Sequence, residues 1–166
     1  MVDELFIKRR SYRKYLPKEV EEDKLNDILE AGMLAPIASG KYFNVVLKVF
    51  RGEELKTLQE TLVKETGNDN TYKAPLVIGV FHKGENVELA NLDAGSIIEN
   101  MLLEARELGL GSVFIYSICR LTRSNEALKK YNELEGGYIL RSVVSFGYVE
   151  DFNDVREVEH KFSVIK

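Results

Sequence analysis

The sequence predicts a layered fold in which helices and strands alternate along one chain of 166 residues. Three observations point to it. Apolar residues recur at helical spacing in several segments, and short runs rich in β-branched and aromatic residues separate these segments. Two of the runs, 74–81 and 112–118, are almost entirely apolar, as is typical of strands buried on both faces. A sheet of such strands needs helices on both sides, which predicts a mixed α/β layer fold.

The helices are predicted over five segments: 2–9, 20–35, 53–64, 88–108 and 124–131. In the second, Leu25, Ile28 and Leu29 recur on one face, and Pro36 ends the helix because proline disfavours the helical conformation in the residue before it. The fourth is apolar around much of its circumference, which predicts a position in the core or at a subunit interface. Gly109 is suited to end it.

Four strands are predicted: 42–50, 74–81, 112–118 and 138–149. No glycine-, serine- or proline-rich linker divides the chain, so residues 1–166 are expected to form a single domain. We leave the structure of the tail after residue 157 open.

The composition excludes several classes of protein. With 45% hydrophobic and 30% charged residues, the chain is globular rather than disordered. No apolar run approaches the roughly 20 residues that span a membrane, and no apolar signal region follows the N-terminus. The single cysteine, Cys119, forms no internal disulfide and fits the cytoplasm. His82 and His160 stand far apart, so we expect no metal site and interpret both as structural or exposed.

A run of positive charge stands near the N-terminus, although the net charge of the chain is −4 at pH 7. Residues 8–14, KRRSYRK, contain five cations. In a helical turn, Arg9, Arg10 and Arg13 would lie on one side, with the hydroxyl of Ser11 beside them. Arginine suits phosphate oxygens, so such a cluster fits a phosphate group. A solvated basic surface stays open as the simpler interpretation, and nucleic acid is disfavoured because no second basic stripe extends the run.

The order of several motifs resembles that of the nitroreductase family of FMN-dependent oxidoreductases. The resemblance begins with Arg-Arg-Ser-x-Arg at 9–13 and a helix ending in Ala-Pro at 35–36. It continues with LDAGSIIENMLLEARELGLGS at 92–112, similar to the family's long central helix and its Leu-Gly-Leu-Gly turn. SFGYVE at 145–150 resembles a late strand, and Arg156 with the following EVEH resembles a C-terminal arginine segment.

The resemblance implies an α+β three-layer sandwich, with a mostly antiparallel mixed sheet flanked by helices. It also implies a homodimer with the long helix at the interface and FMN bound there. The family's cofactor-binding positions correspond here to Arg9, Arg10, Ser11, Arg13 and Arg156 for the phosphate and ribityl chain, and to Pro36 beside the ring.

The implied reaction is ping-pong: NAD(P)H delivers a hydride to the flavin and leaves, and a small oxidised acceptor such as a nitroaromatic or a quinone then takes its place. The cofactor performs the chemistry, so no catalytic side chain is predicted. Partners other than a second subunit and small molecules, such as nucleic acid or a membrane, are not expected.

One segment departs from the family pattern. After Ala-Pro, typical members carry Ser and an Asn-x-Gln-Pro-Trp run, whereas residues 35–46 here read APIASGKYFNVV. Ile37 replaces the serine, and Gly40 falls at the asparagine position. This departure motivates an alternative: a degenerate member that binds or senses flavin without catalysis.

Overall fold

The computed structural model describes residues 4–152, and in these residues an antiparallel sheet lies between two layers of helices. The helices are α1 (Glu4–Lys8), α2 (Glu22–Met33), α3 (Gly52–Thr66), α4 (Val87–Glu107) and α5 (Ser117–Ser124). The strands are β1 (Val45–Phe50), β2 (Leu76–His82), β3 (Gly111–Ile115), β4 (Glu133–Leu134) and β5 (Tyr138–Gly147). Short 3₁₀ helices occupy Ala38–Gly40, Tyr42–Asn44 and Glu126–Tyr131.

The strand order of the sheet is β1-β2-β5-β3, and β4 adds a short pairing to β5. All of these pairings are antiparallel. The parallel element is a single bridge between Ser11 and Ser112. A bulge interrupts the pairing of β2 with β5, because Val80 lies opposite Ser142 whereas Phe81 lies opposite Leu140. Arg141 is therefore the extra residue of β5 at this point.

The core has two parts, one on each face of the sheet. On one face, α2 and α4 pack against Ile78, Val80 and Phe146. On the other face, α3, α5 and the last 3₁₀ helix pack against Val77 and Phe81. All seven residues of β2 are buried, as the apolar sequence of this strand predicts.

The packing of α2 against α4 depends on a small residue. A Cβ atom at Gly32 would lie 2.9 Å from the Cγ of Met101. Glycine therefore lets the two helices approach closely, and the amide of Asn100 donates a hydrogen bond of 3.0 Å to the carbonyl of Ala31 across the contact. This contact fixes where the chain leaves α2, and so where the loop after Pro36 begins.

The predicted three-layer architecture is confirmed, and the differences are local. β1 begins at Val45 rather than at residue 42, because residues 42–44 form a 3₁₀ turn. β3 ends at Ile115 rather than at 118, because Tyr116 takes an αR conformation and begins the unpredicted helix α5. Polar residues dominate α5, which buries only Ile118, Cys119 and Thr122, so its sequence carries a weak apolar signal.

Among the described helices, none combines the length and the apolar character needed to cross a membrane.

Candidate functional site

The basic run lies on an extended segment and not on a helix. α1 ends at Lys8, and the backbone N–H of Tyr12 donates a 3.0 Å hydrogen bond to the carbonyl of Ser112 at the start of β3. The prediction that Arg9, Arg10 and Arg13 share a helical turn is therefore wrong. This part of the backbone is hydrogen-bonded to the edge strand β3 and is therefore extended. In an extended segment, successive side chains point to opposite sides.

The two outer arginines contact different parts of the structure. The Nε atom of Arg9 lies 3.6 Å from a carboxylate oxygen of Glu99 on α4, and its side chain is 24% exposed. The guanidinium of Arg13 is exposed and lies 5.9 Å from the ring centroid of Tyr72, in the loop before β2. Arg10, which lies between these two arginines in the sequence, is half-buried, and Ser11 is exposed. The four residues thus share a short extended segment, and the contacts of Arg9 and Arg13 lie on different elements.

A cavity of about 560 Å³ adjoins this segment. Its wall includes Ser11 and Arg13 on one side and Val149 to Asp151 on the other. The second stretch contains the carboxylates of Glu150 and Asp151. Lys14 compensates part of their negative charge, because it forms a 3.6 Å ion pair with Glu150. Ser11 and Arg13 therefore present a hydroxyl and a guanidinium to a space that is large enough for an anionic group.

Pro36 is exposed and begins the loop that leads into β1. Ser39 and Gly40 in this loop both have positive φ angles, 56° and 62°. A serine in this left-handed region is uncommon, and its neighbours hold it there. The hydroxyl of Tyr42 donates a 3.1 Å hydrogen bond to the carbonyl of Ala35, and the hydroxyl of Tyr138 donates one of 2.9 Å to the carbonyl of Phe43.

A buried histidine–aspartate pair anchors the same loop. One carboxylate oxygen of Asp93 accepts the backbone N–H of Ala38 at 2.9 Å, and the other lies 3.2 Å from Nε2 of His82. Both side chains are almost fully buried. His82 ends β2, Asp93 lies on α4, and Ala38 belongs to the loop, so the pair joins three elements at one point.

The hydrogen bonds of His82 show which of its two ring nitrogens carries the proton. The backbone N–H of Gly84 donates to Nδ1 of His82 at 2.8 Å, so Nδ1 is an acceptor. The proton of the neutral ring is therefore on Nε2, from which it is donated to Asp93. This arrangement gives the Asp93 carboxylate two donors inside the core. It also forms part of the wall of a second cavity of about 560 Å³, to which Lys41, Phe43 and Lys83 contribute.

The prediction that His82 is structural or exposed agrees with its buried position, in which both ring nitrogens are hydrogen-bonded. Asp93 was not predicted as a functional residue. A signal was available. Asp93 is the one carboxylate between the buried helix positions Ala90, Ala94 and Ile97, and a charge on a buried face requires a partner. Which residue supplies that partner depends on the tertiary structure.

The sequence model of the nitroreductase family matches residues 7–148, which include both the basic segment and the loop after Pro36. The chain belongs to the nitroreductase family.

One relative and two solved structures are similar to this nitroreductase-family chain over most of its length. A protein of Archaeoglobus fulgidus named NADH dehydrogenase/NAD(P)H nitroreductase is 31% identical over 93% of this chain and 89% of its own length. A nitroreductase of Bacteroides fragilis, crystallised with bound FMN, superposes with a TM-score of 0.82 at 23% identity, covering 99% of this chain and 100% of its own. One of Desulfitobacterium hafniense, also with bound FMN, gives 0.84 at 18% identity over both whole chains. Both structures share the fold of this chain.

Arg156, predicted from the resemblance as a phosphate ligand, lies outside the described residues. Within residues 4–152, no group of three or more His, Cys, Asp or Glu side chains is placed to hold a metal ion.

Replacing Asp93 with Asn leaves one side-chain oxygen for two buried donors. We expect Asp93→Asn to lower the free energy of unfolding by about 1–3 kcal/mol, because either Ala38 N–H or His82 Nε2–H loses its acceptor. Urea denaturation at fixed protein concentration measures the change. Asp27→Asn, on the exposed side of α2, is the matched control and should change stability by less than about 0.5 kcal/mol. Equal effects of the two substitutions would show that Asp93 does not anchor the loop.

Proposed function

We propose that this protein is an FMN-dependent oxidoreductase that passes electrons from NAD(P)H to a small oxidised acceptor. The observation that carries the proposal is the family match over residues 7–148. The name of the A. fulgidus relative and the FMN in the crystal structures of two proteins with the same fold support it. The acceptor class that we propose is a nitroaromatic, a quinone or a similar compound.

The residues of the basic segment fit the phosphate of FMN. Ser11 and Arg13 border a cavity, and the side chain of Arg9 forms an ion pair with Glu99 at the long distance of 3.6 Å. A phosphate dianion offers stronger, charge-assisted hydrogen bonds to such guanidinium groups. We propose that Arg9, Arg10, Ser11 and Arg13 bind the phosphate and ribityl chain, with Arg156 as a further ligand.

We place the flavin ring beside Pro36 and the loop that follows it. The hydrogen bonds of Asp93, Tyr42 and Tyr138 hold this loop, so its backbone offers a fixed surface to a flat ligand. Residues that are positioned before the ligand arrives cost less ordering entropy when it binds. The loop thus orients the ring through its backbone conformation rather than through the amide side chains of typical members.

Bound FMN supplies the redox chemistry, taking two electrons from NAD(P)H and releasing them to the acceptor. The residues of this chain bind and orient. The arginines would neutralise the phosphate charge, and the loop after Pro36 would orient the ring for the donor and the acceptor in turn. This alternation is the ping-pong scheme that we propose, and it needs no acid or base from the protein.

A second candidate is a family member that binds or senses flavin without catalysis. The observation that favours it is the altered loop, in which Ile37 is buried at the position of the family's serine. A buried isoleucine donates no hydrogen bond to a flavin.

The visible spectrum of the purified protein separates the two candidates. An oxidoreductase binds FMN, loses its yellow absorbance when NADH or NADPH is added without oxygen, and regains it when a nitroaromatic or a quinone follows. Bound flavin that neither nucleotide bleaches indicates the non-catalytic candidate. A colourless protein that does not bind added FMN contradicts both.

The phosphate assignment predicts a loss of affinity in Arg13→Gln. Removing one charge-assisted partner costs about 1.5–3 kcal/mol, which raises the Kd for FMN by roughly tenfold to a hundredfold. Fluorescence titration of FMN measures this. Lys8→Gln removes a charge from the same run, but Lys8 pairs with Glu4, so the Kd should be unchanged. Equal Kd values for Arg13→Gln and wild type would contradict the assignment.

We also propose that the protein is a cytoplasmic homodimer with α4 at its interface. Leu89 and Leu92, three residues apart on α4, are 44% and 66% exposed, and Leu34 beyond the end of α2 is 73% exposed. Large apolar side chains on neighbouring helices favour an interface. Cys119, buried and free, is compatible with the reducing cytoplasm.

The interface predicts that Leu92→Asp weakens the dimer, because a charge would be buried against apolar groups. Light scattering after gel filtration should give about twice 18.9 kDa for wild type and a shift towards 18.9 kDa for the variant. Val63→Asp, at an exposed site on α3 in the other helical layer, should remain dimeric. A monomeric wild type would contradict the proposal.

A further inference from the structure

The bulge in β5 gives Arg141 an unusual position. The residues on either side pair with β2, Leu140 with Phe81 and Ser142 with Val80, whereas Arg141 has no partner in that register. A bulge bends the strand and re-aims the side chain of its extra residue. Here the residue that is re-aimed carries a permanent positive charge.

Arg141 is a buried charged residue. The residue is 8% exposed, and its Nε atom has no hydrogen-bond partner among the described residues. Burial, and after it the charge of Arg123, lowers the pKa of Arg141. A buried charge is costly unless it is paired, so an anion bound at this position would offset a cost that the folded protein otherwise bears.

The neighbours of Arg141 add positive charge instead of removing it. Arg123 on α5 donates one hydrogen bond to the carbonyl of Leu140 at 3.1 Å and another to the hydroxyl of Tyr116 at 3.4 Å. The thiol of Cys119 does not compensate, because burial raises its pKa to about 12 and keeps it neutral. Within residues 4–152, no carboxylate pairs with either arginine, although seven ion pairs between a lysine or arginine and a carboxylate form elsewhere.

We propose that Arg123, Arg141 and the hydroxyl of Tyr116 form a binding site for an oxyanion, the phosphate or carboxylate group of a small molecule. Two guanidinium groups and a hydroxyl offer the directed donors that such a group accepts, and the anion would supply the charge that the described residues lack.

This oxyanion site is distinct from the segment proposed to bind the FMN phosphate. That segment meets β3 at Ser112, whereas Tyr116 follows the last residue of β3 at the opposite end. The two positions are four residues apart along the chain, which corresponds to about 13 Å of extended strand. The oxyanion site therefore needs an anionic group other than the phosphate that the basic segment binds, and its existence does not depend on the proposed redox function.

Titration of the full chain, with and without FMN, tests the proposal. Inorganic phosphate and benzoate are added separately at constant ionic strength, and the Nε–Hε resonances of ¹⁵N-labelled arginine are followed by NMR. We expect saturable shifts of the Arg141 and Arg123 resonances. A response to phosphate alone assigns a phosphate ligand, and a response to benzoate alone assigns a carboxylate. A response to neither overturns the proposal.

Matched variants of α5 locate the binding. Arg123→Gln should weaken the binding of the responding anion by about tenfold or more, as expected for the loss of a charge-assisted partner. Arg120→Gln removes the same charge from an exposed site one turn earlier and should leave the affinity within about twofold. Unchanged affinity in Arg123→Gln, or an equal loss in both variants, contradicts the site.

Stability gives a second, independent measurement. If Arg141 is kept for a ligand, Arg141→Met should raise the melting temperature in anion-free buffer, because an uncompensated buried charge is removed. The same substitution should abolish the further rise that phosphate or benzoate produces in wild type. A lower melting temperature in anion-free buffer would show that Arg141 is a structural residue and would overturn the proposal.

Discussion

Burial of the central strands on both faces is the constraint on which the rest of this structure depends. β2 has no exposed residue, and most of β5 is equally enclosed, so each face of the sheet must be covered by helices. α2 and α4 cover one face, and α3 and α5 cover the other. The interior of the sheet therefore has little room for charged groups, and the polar groups discussed above lie at strand ends or at the break in the pairing of β2 with β5.

Three polar groups illustrate this constraint, and they differ in their hydrogen-bond partners. Ser112, at the start of β3, bonds through its backbone to the basic segment. His82, at the end of β2, bonds to Asp93, which in turn fixes the loop at Ala38. Arg141, at the bulge in β5, has no such compensation among the described residues. The contacts of Ser112 and His82 fix the proposed flavin site in the fold. Arg141, in contrast, carries a charge that is available to a ligand.

The sequence predicted the architecture well because its signals are local. Apolar periodicity identified α2, α3 and α4, and apolar runs identified β2 and β3. The helical placement of Arg9, Arg10 and Arg13 failed because a long-range bond to Ser112 decides the conformation there. The Asp93–His82 pair and the cluster of Arg123 with Arg141 were missed for the same reason. Their partners are 11 and 18 residues apart in sequence, and only the fold brings them together.

The bulge at Arg141 also bears on how this protein could diverge. The ladder between β2 and β5 continues on both sides of Arg141 without using it, so its side chain can be exchanged without a change of register. Most other positions of β5 are buried against neighbouring strands and helices, which restricts them to residues of similar size. A substitution at this single position would thus change the proposed oxyanion site while the strand pairing of the sheet stays the same.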